Sequence, residues 1–372
     1  MPSAASTARN LPDHFRGLPD PRIDRTRRHE LTDILVIAVC TLLCGGESFN
    51  DMEDFGYAKE DWLRTFLALP NGIPTHDTFN RVLSALDPAQ FLECFLAWTQ
   101  SLRQAVDEEI VAMDGKALRR AIQTGGIPYM VSAWAVRNGL VLGQMRVEEK
   151  SNEITVVPHL LRALDLAGCI VTLDAMGCQK RIAREIIEAD AQYVLALKGN
   201  QETVHAEVRS YLDDAIAQAP AELAYTETVE KDHGRLETRR YWQSERLDWF
   251  ADRGKWQGLR SVGVVESVRE LKGQVQTERR YFLSSLTLDA PRFARAVRSH
   301  WGVENQLHWV LDVQFGEDQS RARSGHAAEN LATLRRLALN LLKRDTTKKR
   351  GIRGKQKNAD WDHRYLLHLL GL

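Results

Sequence analysis

The hydrophobic pattern of this chain changes period near Glu109, and that change constrains the fold more than any other feature. From Leu31 to about Ala105 apolar residues recur at helical spacing, in LTDILVIAVCTLLC, SFNDMEDFGYAKEDWLRTFL, PTHDTFNRVLSAL and DPAQFLECFLAWTQSL. Thr75 or Asp77 suits the start of the third helix, and Asp87-Pro88 supplies an N-cap and first-turn pair for the fourth. Beyond Glu109 come short β-rich runs, IVAMDG, YMVSAWAV and LVLGQMRVEE, with Arg137-Asn138-Gly139 as a hairpin turn. ITVVPHLLRALDLAG then reads as a helix, CIVTLD as a buried strand, CQKRIAREIIEAD as a helix and AQYVLALK as a second buried strand. The order β-β-β-α-β-α-β joins an antiparallel meander to parallel crossovers. It predicts an α/β fold, a mixed sheet flanked by helices.

Residues 200–225 read as helical, and 226–287 turn β-rich again in ETRRYWQSERL, SVGVVESVREL and ERRYFLSSL, as an insertion would. Asp289-Ala290-Pro291 opens a helix to about Leu311, and another spans roughly Ala327 to Lys343. Four regions follow: an Arg-rich arm over 1–30, a helical domain over 31–107, an α/β domain over 108–344 and a basic tail over 345–372. Lys343 to Lys357 holds eight basic residues against one acid, Asp345, so the tail reads as a disordered or phosphate-binding arm.

Lys+Arg and Asp+Glu each total 50, so any nucleic-acid surface must come from local segregation of charge. The five cysteines (Cys40, Cys44, Cys94, Cys169, Cys178) sit mostly in apolar runs, as reduced cysteines of a cytosolic protein do. Cys40 and Cys44 have no second Cys/His pair at zinc-finger spacing. The longest apolar run, Ile34 to Cys44, is about half a bilayer span and reads as a buried helix. No signal peptide is visible.

Three acids stand out. Asp114 and Asp174 each close a short apolar run, and Glu304 lies in the helical stretch RSHWGVENQLHWVLD. Carboxyl ends of neighbouring parallel strands are where open α/β sheets bind ligands. Two bare carboxylates brought together there repel, and a divalent cation between them resolves the repulsion. Glu304 shares helical spacing with Val297, Trp301, His308 and Leu311, which predicts an inward face. Each acid taken singly also fits a plainer role, as turn former, helix cap or salt-bridge partner. Trp134, Trp301 and Trp309 are expected in the core.

In order along the chain, HFRGLPDPRIDRTRRHELTDILVIAVCTLLCGGESFNDMEDFG, GIPTHDTFNRVLSALDP, VAMDGKALR, TLDAMGCQK, YVLALKGNQ and RSHWGVENQLHWVLDVQFGEDQSRAR resemble the RNase H-like DDE transposases of bacterial insertion sequences, in their H-repeat-associated branch. The resemblance covers nearly the whole chain. It implies an RNase H-like sheet with an N-terminal helical DNA-binding domain and a β-rich insertion. It implies Asp114, Asp174 and Glu304 as catalytic metal ligands, two Mg²⁺ or Mn²⁺ ions, and double-stranded DNA as partner, both inverted repeats and target. It further implies a homodimer at synapsis and a cytoplasmic, nucleoid-associated protein without membrane contact. Where the wider superfamily carries Tyr, Arg and Lys around its glutamate, this chain has Val297, His300 and Leu311. Asp318, in VLDVQFGED with Asp312 and Glu317, is the reserve for the third acid.

For DNA contacts the expected groups are Arg81, on the helix with Thr75, His76 and Asn80 facing out, and Lys116, Arg119 and Arg120, in a stretch free of acids from Gly115 to Met145. Lys198, Arg298 and His300 complete the set. Ordinary surface helices would carry the same charges. Two other functions compete. His300, Glu304 and His308 stand at i, i+4 and i+8, as helical ligands of a different metal-dependent hydrolase would. A catalytically inactive DNA-binding relic would keep the fold alone.

Overall fold

The computed structural model describes residues 10–372 except 124, 125, 148–152, 233, 234, 272 and 273. Arg9 of the arm and the last acids of LVLGQMRVEE fall outside the described residues. The N-terminal helices are α1 (Leu11–Phe15), α2 (Leu31–Leu43), α3 (Phe49–Ala58), α4 (Glu60–Leu63), α5 (His76–Ala85) and α6 (Pro88–Leu102). Then follow β1 (Ile110–Ala117), β2 (Tyr129–Ala135), β3 (Leu140–Val147), α7 (Glu153–Ala163), β4 (Ile170–Leu173), α8 (Lys180–Glu188), β5 (Gln192–Leu197) and α9 (Glu202–Gln218). The insertion holds β6 (Ala224–Asp232), β7 (Arg235–Ser244), β8 (Ser261–Leu271) and β9 (Gln274–Ser284). The chain ends with α10 (Ala290–His300), α11 (Trp309–Gln314), α12 (Ala327–Arg344), α13 (Ile352–Trp361) and α14 (His363–Leu370).

The expected mixed sheet is present. Its order is β3-β2-β1-β4-β5-β9-β8-β7-β6. β1, β2 and β3 form the antiparallel meander, and β1, β4 and β5 run parallel. The insertion extends this same sheet, because β9 pairs antiparallel with β5. It contains one strand more than the three apolar runs suggested. β6, AYTETVEKD, is mostly polar and lies at the sheet edge, where burial does not demand alternation.

α12 joins the two halves. Nearly all of its residues are buried, which fits a helix enclosed on every side. Its polar groups have specific partners. Asn340 accepts from the Val141 amide at 2.8 Å and donates to the Val141 carbonyl at 2.9 Å, saturating part of the β3 edge. Asn330 donates to the carbonyls of Leu83 and Leu86, holding the end of α5. One apolar core therefore runs from α2 through Trp134 and Val141 to α12 and Leu366.

Both termini depart from the expected arms. Leu11 and Phe15 are buried, with Phe15 against Phe91 of α6. The basic tail is folded as α13 and α14. Tyr365, Leu366, Leu369 and Leu370 give α14 an apolar face, and this burial outweighs the solvation of the preceding charges.

Candidate active site

Two of the carboxylates meet at the carboxyl end of the neighbouring interior strands β1 and β4. Met113 of β1 lies opposite Leu173 of β4 in parallel register, so the next residues, Asp114 and Asp174, stand side by side. Asp114 does not close its strand. β1 continues to Ala117, paired with β2, after β4 has ended. Gly115 is accordingly a strand residue, and its lack of a side chain admits the Tyr129 ring; a Cβ there would lie 2.2 Å from it. Asp174 does end its strand, and its carboxylate caps the following turn by accepting from the Met176 and Gly177 amides.

Glu304 is not on an inward face. Its side chain is 70% exposed, while Val303, Leu307, His308 and Leu311 are buried. The helix expected to run unbroken from Ala290 stops at His300, and Glu304–His308 forms a π-helical turn before α11. The wider turn puts Glu304 outside the inward face that a 3.6 period had assigned to it, while His308 and Leu311 stay on that face. Trp309 is likewise 55% exposed, whereas Trp134 is buried as expected.

The same turn sets His308 between two acids. Its Nδ1 lies 3.2 Å from Glu304 and 3.6 Å from Asp114. Asp114, Glu304 and His308 offer ligand atoms all within 4.8 Å of one another. The alternative His300–Glu304–His308 set is not assembled: His300 belongs to α10 and its ring bonds Thr172 of β4 at 3.0 Å. Burial pushes the imidazoles of His300 and His308 below their usual pKa, so both are neutral groups near the acids.

Sequence reasoning missed a fourth carboxylate. Glu153, the first residue of α7, lines a small cleft with Asp114 and Asp174 and bonds the Tyr129 hydroxyl. At a helix N-terminus an acid is ordinary, so nothing local marked it. Burial first, and then the charges of Asp174, Glu153 and Glu304, push the Asp114 carboxyl up to about 7 despite a bond from the Gly115 amide.

Of the expected DNA contacts, Lys116 must be withdrawn. It is buried, 2.6 Å from Asp312, 2.7 Å from Asp318 and 3.5 Å from Glu317. Glu317 also pairs with buried Arg336 at 2.7 Å. Asp318 serves this network and Arg119, 3.3 Å away, so it is no reserve for the third acid. His300 is committed to Thr172, and Arg298 pairs with Glu230 of the insertion at 2.9 Å. Arg119, Arg120 and Lys198 are exposed, and Lys198 directly follows β5, the next parallel strand after β4. Arg81 is also exposed. It lines a cleft of about 550 Å³ with Arg22, Arg25 and Arg28, which the arm brings against α5.

Comparison with known proteins agrees with this architecture. Residues 12–99 match the model of the DDE_Tnp_1-associated family, and 106–341 match that of the transposase DDE domain. "Putative transposase YncI" of Escherichia coli O157:H7 is 39% identical over 369 residues, covering 97% of this chain and 94% of that one. "H repeat-associated putative transposase YhhI" of Escherichia coli K12 is 38% identical over 370 residues, covering 97% and 98%. A solved piggyBac transposase synaptic complex with hairpin DNA aligns with 96% of this chain and 76% of its own, at 10% identity and a TM-score of 0.46. Among the described residues no helix is long and apolar enough to cross a membrane. The family matches together span both halves joined by α12, and the chain belongs to the DDE-domain transposases, alongside the H repeat-associated members.

Proposed function

We propose that this chain binds the terminal inverted repeats of a mobile element, cleaves DNA strands there and joins the freed 3′-hydroxyls to target DNA. Asp114, Asp174 and Glu304 are its core acids. The observation that carries this reading is the parallel register of β1 on β4, which sets two carboxylates abreast at the carboxyl end of these interior strands with Glu304 near Asp114.

The donor set fits a hard divalent cation. It consists of carboxylate oxygens and one neutral imidazole, and the raised pKa of Asp114 marks negative charge that its described neighbours leave unbalanced. Bound by Asp114, Asp174 and Glu304, two Mg²⁺ or Mn²⁺ ions would activate the attacking oxygen and stabilise the leaving oxygen of an in-line displacement. The protein's own groups do the positioning. The β1–β4 register fixes Asp114 against Asp174, and the backbone amides of Met176 and Gly177 orient Asp174. His308 holds Glu304 towards Asp114, and the Thr172–His300 bond ties α10 to β4.

Arg119, Arg120 and Lys198 serve the phosphates of the strand being cut, and the Arg81 cleft serves the flanking duplex. Joining two element ends requires two sites in one complex, so the working species on DNA is a homodimer. The test is strand cleavage of duplexes carrying the element's own ends, with Mg²⁺ or Mn²⁺. Asp114→Asn, Asp174→Asn and Glu304→Gln should each abolish cleavage while leaving DNA binding in place. Cleavage that survives any one of them removes that residue from the core set.

A further inference from the structure

The folded C-terminal segment carries a built cationic groove. The loop before α13 and the outer face of α13 border an open groove of about 700 Å³, lined by Lys348, Lys349, Arg350, Lys357, Asn358 and Trp361. Buried groups fix its shape. The Asp345 carboxylate accepts from the amides of Thr347 and Lys348 and from the Tyr365 hydroxyl, at 2.7 Å for the last. Lys355 Nζ donates to the Leu342 carbonyl at 2.7 Å. Lys348 lies over the Tyr365 ring, 5.3 Å from its centroid. Gly354 lets the loop close onto the helix, since a Cβ there would stand 3.0 Å from Cβ of Arg350.

The groove concentrates one sign of charge in a chain whose formal net charge is zero. Lys349, Arg350 and Lys357 are exposed and make no ion pair among the described residues. Two of the three acids of this region are directed elsewhere: Asp345 is buried under the loop and Asp362 caps α14, while Asp360 is exposed on α13. Beside the cations Trp361 is 73% exposed, one turn beyond Lys357 on the same face of α13. An exposed indole costs hydration unless something covers it, and a flat ring within a cationic groove suits packing against the sugars of a phosphodiester backbone.

We propose that this groove is a second DNA-binding surface, which grips the phosphodiester backbone of duplex DNA without divalent metal. The proposal does not rest on the carboxylate site. Its test therefore uses the full-length protein in EDTA, with a fluorescently labelled duplex of arbitrary sequence. Anisotropy is read over a salt series, in both the native and the Asp114→Asn backgrounds. The triple variant Lys349→Ala, Arg350→Ala, Lys357→Ala should weaken binding and flatten the slope of log K against log salt by roughly two to three, one lost phosphate contact per cation. Trp361→Ala should weaken binding with the slope unchanged. A control triple, Arg246→Ala, Arg253→Ala, Lys255→Ala, removes the same charge from another exposed surface and should keep the native slope. Equal melting temperatures establish that the variants are folded, and Lys→Gln and Arg→Gln replacements serve if the alanine triple melts lower. Native affinity and slope in the tail triple overturn the proposal. So does an equal loss in the control.

Discussion

Two carboxylate clusters lie two residues apart on β1, and they are held in opposite ways. Around Lys116, the acids Asp312, Glu317 and Asp318 are matched by Lys116, Arg119 and Arg336. Burial alone would raise the Glu317 carboxyl, but Arg336 and Lys116 outweigh it and hold it down at about 2. Around Asp114, the neighbours are Asp174, Glu153, Glu304 and a neutral His308, and the Asp114 carboxyl rises to about 7. Both clusters are built on aspartates and glutamates, and they differ in the bases beside them. The first contains its own cations and is a structural joint between β1 and the turn after α11. The second has its charge unbalanced and suits a cation supplied from outside.

The largest expected effect comes from removing the internal cation. Lys116→Met leaves three acids around a buried site without their ammonium, and breaking such a pair from one side costs about 3–5 kcal/mol. Denaturant unfolding should show that loss, and a variant as stable as the native protein would abolish the contrast between the clusters.

Asp114→Asn should act in the other direction in metal-free protein. Asp114 has a folded pKa above its unfolded value, so its contribution is complete below pH 4 and is lost as pH rises through about 7. At pH 8 the asparagine variant should therefore be the more stable one, by up to about 4 kcal/mol, and near pH 4 the two should match. Melting curves across that range decide it. Glu317, held low, works oppositely: its contribution is present above its ordinary value of 4.5 and disappears as pH falls towards 2.

Next in size, saturating Mn²⁺ at a hundred times its dissociation constant should stabilise the native protein by about 2.7 kcal/mol. Asp114→Asn and Asp174→Asn should lose that shift, read as a change in melting temperature. An unchanged response in both would place the ion elsewhere. The smallest effect on stability belongs to Glu304→Gln. The side chain is 70% exposed, so unfolding free energy should change by less than about 0.5 kcal/mol. Cleavage should nevertheless be lost, and calorimetry beside the cleavage assay separates the two.

The parts of this site that could be read in the sequence are those fixed by local pattern. Short apolar runs ending near Asp114 and Asp174 placed both acids on strands, and an α/β order made those strands neighbours. Glu304 was placed in the right stretch but on the wrong face, because helical spacing assumes a uniform turn and the π-helical segment breaks it. Lys116 was misread as a DNA contact because its partner Asp318 lies 202 residues away, beyond any local signal. The tail was misread because a run of charge masked the apolar spacing of Tyr365, Leu366, Leu369 and Leu370.

By itself, then, the sequence determined the period of most elements, the mixed character of the sheet and the family. The first two follow from side chains repeating every two or every 3.6 residues, a property of neighbours along the chain, and the family from the resemblance of six ordered stretches to its members. Only the tertiary structure decided which charges are spent inside the protein and which remain for a ligand. That outcome depends on long-range packing: α11 delivers Asp312 and the turn after it Glu317 and Asp318 to Lys116, and α12 delivers Arg336, while Asp114 receives acids and a neutral histidine. A charge buried with a counter-charge is held as structure, and one buried without it is driven to take up a proton or a metal ion.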